Sequence, residues 1–333
     1  MGTVLKKNLL VGAGICCLIG ILFASCNEEW KEEQYKKYIS FVRSGYTETY
    51  LNTNTADGVV HYKIPIVVSG STKNDRSITV EVTLDEDTLE NFNYAQFDKT
   101  RKDLYFLLLD KKYYDFPNGM TVVIPAGKEV GCLDIDFKTG DLDLVEKYIL
   151  PLKIASTSEY TISPKHHYTR TLMRIIPFNY FSGTYSAGAA IITANEEGEA
   201  VPTSVATREM RYVSDSTVFF YAGLCEEDDF ERADYKIFAR FNADNTMTFT
   251  ANNDDIKLNV KKQEWKIKEE MDVLQPYLMI RTLTMDMEYS YCRLLNIAGT
   301  KIEVTYLVKG FYTLERRRNT QIPEEDQQEI FEW

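Results

Sequence analysis

Histidine is scarce, with three in 333 residues, and two of those are the neighbours His166 and His167. That leaves no zinc-type ligand spacing. Positive charge is in deficit too: 38 Lys and Arg stand against 50 Asp and Glu, a net charge of −12. No basic cluster exists beyond Arg316-Arg317-Arg318, and so acidic a surface is repelled by phosphate backbones, so nucleic acid is not an expected partner. Long apolar runs are missing as well. The longest, Leu9 to Ala24, has 16 residues, which at about 1.5 Å per residue falls short of the roughly 30 Å hydrocarbon core of a bilayer. Between residues 180 and 315 no amphipathic helical pattern longer than about two turns stands out. Cysteine after position 26 is down to Cys132, Cys225 and Cys292, an odd number at wide spacing. Each lies in or beside an apolar run, so buried free thiols are expected rather than a disulfide framework.

What is present begins with a pattern at the N-terminus. Lys6 and Lys7 precede the short apolar run, no acid appears before Glu28, and small residues lead to Cys26. A basic start, a short apolar stretch and a small-residue cut site describe a signal peptide over residues 1–25. Phe23-Ala24-Ser25 before Cys26 resembles the lipobox of bacterial lipoproteins, with Phe23 where leucine is usual. The resemblance implies a diacylglycerol on the Cys26 thiol and a lipid-anchored chain starting there; several acyl chains give stable membrane attachment. Loss of residues 1–25 takes two lysines from the 38 basic residues and no acid from the 50, a net charge of −14. The Asn27-Glu28-Glu29 that follows resembles the acidic export signal of Bacteroidetes lipoproteins. It implies the outer face of the outer membrane.

Residues 26–38 read as a lipidated tether. From Ile39 the chain turns strand-like: "ISFVRS", "VVHYKIPIVVSG", "SITVEVTL", "MTVVIPAG", "VGCLDIDFKTG" and "KYILPLKIAS" are short β-branched and aromatic runs parted by Gly, Asn, Asp or Pro. "TLENFNYAQFDKTRKDLYFLL" interrupts them as a helical turn and an excursion. Pro151 is expected to end or edge its strand. Strands about ten residues apart predict an antiparallel sandwich over 39–177. A second set, including the hairpin "ARFNADNTMTFTA" and the long alternating "YLMIRTLTMDMEYSYCRLL", predicts a β-barrel or second sandwich over 178–318. Residues 319–333 read as a polar tail. The fold class expected is all-β.

"TVVIPAGKEVGCLDIDF" (121–137) with "DLVEKYILPLKIAS" (143–156) resembles the immunoglobulin-like domain of unknown function that opens many Bacteroidetes surface lipoproteins. "SGTYSA" and "EVTYLVKGFYTLERRRNTQIPEEDQ" resemble the β-rich C-terminal domain of the same lipoproteins. These are encoded in polysaccharide-utilisation loci beside starch-utilisation-type importers. The resemblance implies partners of two kinds, a polysaccharide or oligosaccharide and the outer-membrane importer proteins.

No catalytic constellation is legible. Asp134 and Asp136 share a strand face at about 7 Å, within the reach of a glycosidase pair, but they alternate with Leu133, Ile135 and Phe137 as a solvent face would. Asp141 and Asp143 are read the same way. His166 and His167 follow Pro164 with no nucleophile elbow nearby, which fits a surface loop. Asp244, Asn252, Asn253, Asp254 and Asp255 lack the EF-hand order and suit turns. No metal and no cofactor are therefore expected.

Aromatics are abundant, 22 Tyr and 17 Phe. Most must serve the core, but flat rings also stack on sugars. Trp265, in the charged "KKQEWKIKEE", is the leading candidate for a glycan platform. Tyr277, Tyr289 and Tyr291 are weaker ones, the last two on one strand face. The expectation is a non-enzymatic, surface-anchored protein that binds glycan as an accessory to capture and import. The alternative is a structural or protein-interaction lipoprotein with no sugar site.

Overall fold

A computed structural model describes residues 32–55, 57–97, 99–194, 201–297 and 299–322. The leader, Cys26, the first part of the tether and most of the polar tail lie outside them. The first domain contains β1 (Tyr38–Phe41), β2 (Gly45–Asn52), β3 (Val60–Val68), β4 (Ile78–Leu84), helix α1 (Glu86–Phe97), β5 (Leu107–Leu108), β6 (Tyr114–Asp115), β7 (Thr121–Ile124), β8 (Val130–Phe137), β9 (Tyr148–Thr157), β10 (Thr161–Ile162) and β11 (Arg170–Phe178). These form two sheets, one ordered β10-β1-β3-β8-β6 and one ordered β2-β11-β9-β4-β7 with β5 alongside β9. Most pairings are antiparallel, but β1–β10, β2–β11 and β5–β9 run parallel.

The sandwich follows from alternation. In β4 the buried Ile78, Val80 and Val82 face inward while Thr79, Glu81 and Thr83 are exposed, and Leu133, Ile135 and Phe137 of β8 do the same opposite them. Asp134 and Asp136 share the outer face, where they accept from Asn118 at 2.9 Å and pair with His61 at 2.7 Å. His166 and His167 occupy an exposed turn. Two prolines sit inside interior strands, Pro65 in β3 and Pro151 in β9, contrary to the expectation that Pro151 would end or edge its strand. Each is placed where a neighbour stops. The Pro65 carbonyl accepts from Val42 just past the end of β1, and the Pro151 carbonyl accepts from Asp85 just past the end of β4. The missing N–H therefore points at a strand end, where no ladder bond is lost.

Three further expectations are corrected. The helical turn is a full helix of 12 residues. The Asn93 amide exchanges two 2.9 Å bonds with the Phe106 backbone and holds the helix to the chain that follows it. Residues 33–38 are not a free tether. Glu33 accepts from the backbone and hydroxyls of Ser71 and Thr72 at 2.7–3.1 Å, and Lys37 donates to Lys73 O at 2.6 Å. Cys132 is exposed, while Cys225 and Cys292 are buried; all three are free. Its position explains this: Cys132 alternates with the buried Gly131 and Leu133 and so falls on the outer face of β8.

The second domain contains β12 (Gly183–Ser186), β13 (Ile191–Ala194), β14 (Thr207–Ser214), β15 (Thr217–Tyr221), β16 (Lys236–Phe241), β17 (Met247–Ala251), β18 (Asn259–Met271), β19 (Leu278–Ile297) and β20 (Thr300–Asn319). They form one antiparallel sheet ordered β17-β16-β15-β14-β12-β20-β19-β18, with β13 on β20. The sheet curls until its two edges meet. Thr246 bridges Glu264, Trp265 N donates to Asn245 O at 3.0 Å, and Phe249 N donates to the Gln263 side chain at 2.9 Å. The result is nearly a barrel, a closure that removes exposed sheet edges. Its interior is aromatic: Tyr185, Phe220, Tyr289, Tyr291 and Tyr312 are fully buried. Gly310, at φ +141°, lets β20 pass against Ala189 and Ala190, where a Cβ would collide with backbone.

Candidate functional site

The outer face of the β2 sheet is left bare between α1 on one side and the barrel on the other. β2 alternates: Thr49 and Leu51 point into the sandwich and are buried, so Tyr46, Glu48 and Tyr50 point outward. Arg174 of β11, paired in register with Glu48, lies beside them. Its guanidinium meets Glu48 at 2.7 Å, and Glu48 also accepts from Tyr50 at 2.8 Å and from Tyr46 at 3.3 Å. Burial raises the pKa of both tyrosines, with Glu48 reinforcing the effect. Both hydroxyls remain protonated donors at neutral pH. On the α1 side Tyr46 stacks on Phe92 with ring centroids 5.4 Å apart and leans on Phe106.

The barrel supplies the other wall. Glu209 and Arg211 of β14 and Glu227, in the connection from β15 to β16, face the first domain. Arg211 has only 7 % of its side chain exposed and meets Glu209 and Glu227, each at 2.9 Å. It also donates to Leu144 O of the first domain at 2.9 Å and to the Tyr221 hydroxyl at 3.2 Å. Lys147 of the first domain closes the set on Glu227 at 2.6 Å. Burial alone would raise the Glu227 carboxyl; Arg211 and then Lys147 overrule it and hold it at about 2. Beyond this cluster Arg232 donates to Asp103 O at 2.7 Å and meets Glu146 at 3.4 Å, and Lys236 meets Asp143 at 3.4 Å. The seam between the domains is thus built from ion pairs with one partner on each side.

The walls enclose a trough of about 250 Å³ lined by Glu48, Tyr50, Lys147, Arg174, Glu209, Arg211 and Glu227 among others. An adjoining recess of about 230 Å³ shares Thr184, Glu209, Arg211 and Glu227 with it. A broader depression of about 540 Å³ lies at the β1–β10 edge, but Lys165 is the one charged residue in its lining. Specific recognition needs a few convergent polar groups in a concave, partly apolar setting, and the trough has them.

None of the aromatic residues singled out from the sequence lines it. Tyr289 and Tyr291 are fully buried inside the barrel, so no sugar can stack on them; their hydroxyls accept from Gly223 N at 3.2 Å and Leu224 N at 3.0 Å. Trp265 is half-buried at the barrel seam. Its indole N–H donates to Asn242 O and Thr246 O, and its ring meets Phe181 and Phe241 edge-on at 5.5 Å, so it closes the barrel and is not an open platform. Tyr277 is exposed, at the turn from β18 to β19, where its hydroxyl donates to Gln275. Asp244 and Asn253 cap their own turns through Thr246 and Asp255. Among the described residues no group of three or more His, Cys, Asp or Glu is arranged to hold a metal, and no helix is long and apolar enough to cross a membrane. The missed row, Tyr46-Glu48-Tyr50, did carry a signal. It is a period-two run of aromatic and acid in "GYTETYLN", with the apolar Leu51 on the opposite face.

Comparison with known proteins fits this two-domain arrangement. A family model described as a domain of unknown function, DUF4973, matches residues 30–158, and a second, described only as "-like, C-terminal", matches residues 169–312. A solved structure of unknown function from Bacteroides ovatus is 33% identical, with a TM-score of 0.79, covering 87% of this chain and 98% of its own. A multidomain protein including DUF1735, also from Bacteroides ovatus, is 33% identical with a TM-score of 0.78, covering 87% and 99%. The chain belongs to this family of two-domain Bacteroides proteins. Another relative, described as an auxiliary nutrient binding protein from Bacteroides thetaiotaomicron, is 30% identical with a TM-score of 0.75, covering 87% and 96%. The search of curated proteins returned no match.

Proposed function

We propose that this protein is a non-catalytic accessory of nutrient capture that binds a neutral glycan in the trough between its domains. In this reading it is held on the outer membrane by the acylated Cys26 and works beside an outer-membrane importer. The observation that carries the reading is the trough itself, where Glu48, Tyr50 and Arg174 from one domain face Glu209, Arg211 and Glu227 from the other. Carboxylate, guanidinium and phenol together offer the mixed donors and acceptors that sugar hydroxyls require. The nutrient-binding description of one relative supports the same reading.

The charges in the lining argue for a neutral ligand. Glu48, Glu146, Glu209 and Glu227 outnumber Lys147, Arg174 and Arg211, and each of these three cations already has a carboxylate partner. A uronate or sulfate group would find no unpaired positive charge there. The carboxylates also argue against glycoside hydrolysis, which needs a protonated acid at neutral pH. Glu227 is held ionised at about 2 and cannot supply that proton.

Native gels containing soluble starch, yeast mannan, galactomannan, arabinoxylan or polygalacturonate test the proposal. At least one neutral polysaccharide should retard the wild-type protein, polygalacturonate should not, and Arg174→Met and Tyr50→Ala should each abolish the retardation while far-UV circular dichroism stays native. Folded protein that none of these retards, or variants retarded like the wild type, would contradict it.

A further inference from the structure

The connection from β15 to β16, residues 222–235, is tied down along its length. Tyr289 and Tyr291 hold the amides of Gly223 and Leu224 from inside the barrel, and Arg208 donates to the carbonyls of Gly223 and Cys225. Asp229 accepts from Glu226 N at 3.0 Å and pairs with Arg293 at 2.8 Å. Arg232 reaches across to the first domain. In the middle of this fixed segment Phe230 stands 71% exposed.

Isolated exposed apolar residues are ordinary, but Phe230 is held in a defined pose. The guanidinium carbon of Arg101, from the other domain, lies 4.4 Å from its ring centroid. That guanidinium is itself fixed by two bonds to the Asp103 carboxylate at 3.1 and 3.0 Å and one to Asp228 O at 2.5 Å. One face of the ring is therefore taken by a cation and the opposite face is left to solvent. Arg101 connects the ring toward the trough: Asp103, to which it is bonded, lines a small recess with Tyr105 and Arg232, and that recess shares Glu146, Lys147 and Glu227 with the trough.

We propose that Phe230, backed by Arg101, is a second sugar platform that receives the C–H face of a pyranose, so the groove takes a chain of several sugars and not a single unit. This rests on the glycan reading above. The flat apolar face left open suits the C–H face of a sugar, and a ring held on its other side by Arg101 loses less entropy on contact.

The test uses the full chain, with mannan and mannohexaose, starch and maltohexaose, and the free monosaccharides mannose and glucose, by affinity gel and calorimetry. Phe230→Ala is expected to weaken binding of the retarding polysaccharide and its hexasaccharide about tenfold. Phe230→Trp should restore binding, and the free monosaccharide should bind Phe230→Ala and wild type alike. Arg101→Met should give an intermediate loss. Wild-type protein that binds while Phe230→Ala binds equally well would overturn the platform and leave the trough standing. Wild-type protein that binds none of these probes and is retarded by no polysaccharide of the gel panel would overturn both.

Discussion

Replacing Glu227 by Gln keeps the shape of the side chain and removes the charge that Arg211 and Lys147 share across the two domains. In the folded protein the carboxyl is drawn from its ordinary 4.5 down to about 2, equivalent to about 3 kcal/mol of stabilisation in a fully shielded setting. With 37% of the side chain in water, solvent screening brings the expected contribution to about 1–2 kcal/mol. Because the folded-state value is the depressed one, this stabilisation is complete above pH 4.5 and is lost as the pH falls toward 2. Urea unfolding followed by far-UV circular dichroism should therefore find the Gln variant about 1–2 kcal/mol less stable than wild type near neutral pH. The gap should narrow steadily below pH 4.5. A gap no larger than the about 0.5 kcal/mol of an ordinary surface change, or one that keeps its size into the acid range, would refute the reasoning.

Three more outcomes follow from the same structure. Tyr289→Phe and Tyr291→Phe leave the buried Gly223 amide and the part-buried Leu224 amide, respectively, without an acceptor; each should cost about 1–2 kcal/mol in thermal unfolding. Trp265→Phe forfeits the bonds to Asn242 O and Thr246 O and should cost about 1 kcal/mol of stability. It should leave glycan retardation unchanged, and a loss of retardation at full stability would return Trp265 to the binding site. Maleimide labelling with mass spectrometry should modify exposed Cys132 in the native protein and Cys225 only after unfolding, because burial pushes the Cys225 thiol up to about 12. Labelling of Cys225 at the rate of Cys132 would contradict its burial.

The strands were legible where one face is wet and the other dry. "SITVEVTL" and "GCLDIDF" alternate apolar with polar, and both became half-buried strands with the apolar set inward. Alternation says which residues share a face but not which way that face turns. Tyr289 and Tyr291 do share one, and it points into the barrel because β19 lies between two long neighbours that curl around it. Cys132 escaped for the opposite reason: it is an apolar residue on the outer face of β8, the face it shares with Asp134 and Asp136. Helix α1 was underestimated because only Leu89 and Asn93 of it are buried, too short a stripe to stand out against the strands. The trough was beyond reach from local pattern. Arg174 and Glu48 are 126 positions apart and meet through a parallel pairing, β2 on β11, that no hairpin signal announces. Glu227 and Lys147 belong to different domains. Such contacts arise from tertiary packing, and a charged residue in a loop gives no local sign of the partner it will find.

The central claim is that ligand sits between the domains, and hydrogen–deuterium exchange of the full chain tests it most directly. With saturating polysaccharide from the set that retards the protein, β2 (Gly45–Asn52), β11 (Arg170–Phe178) and residues 223–232 should gain protection together. Amides on β18 and β19 around Trp265 and Tyr277 should exchange as they do without it. Protection centred on Trp265 or Tyr277, with β2 and β11 unchanged, would contradict the account.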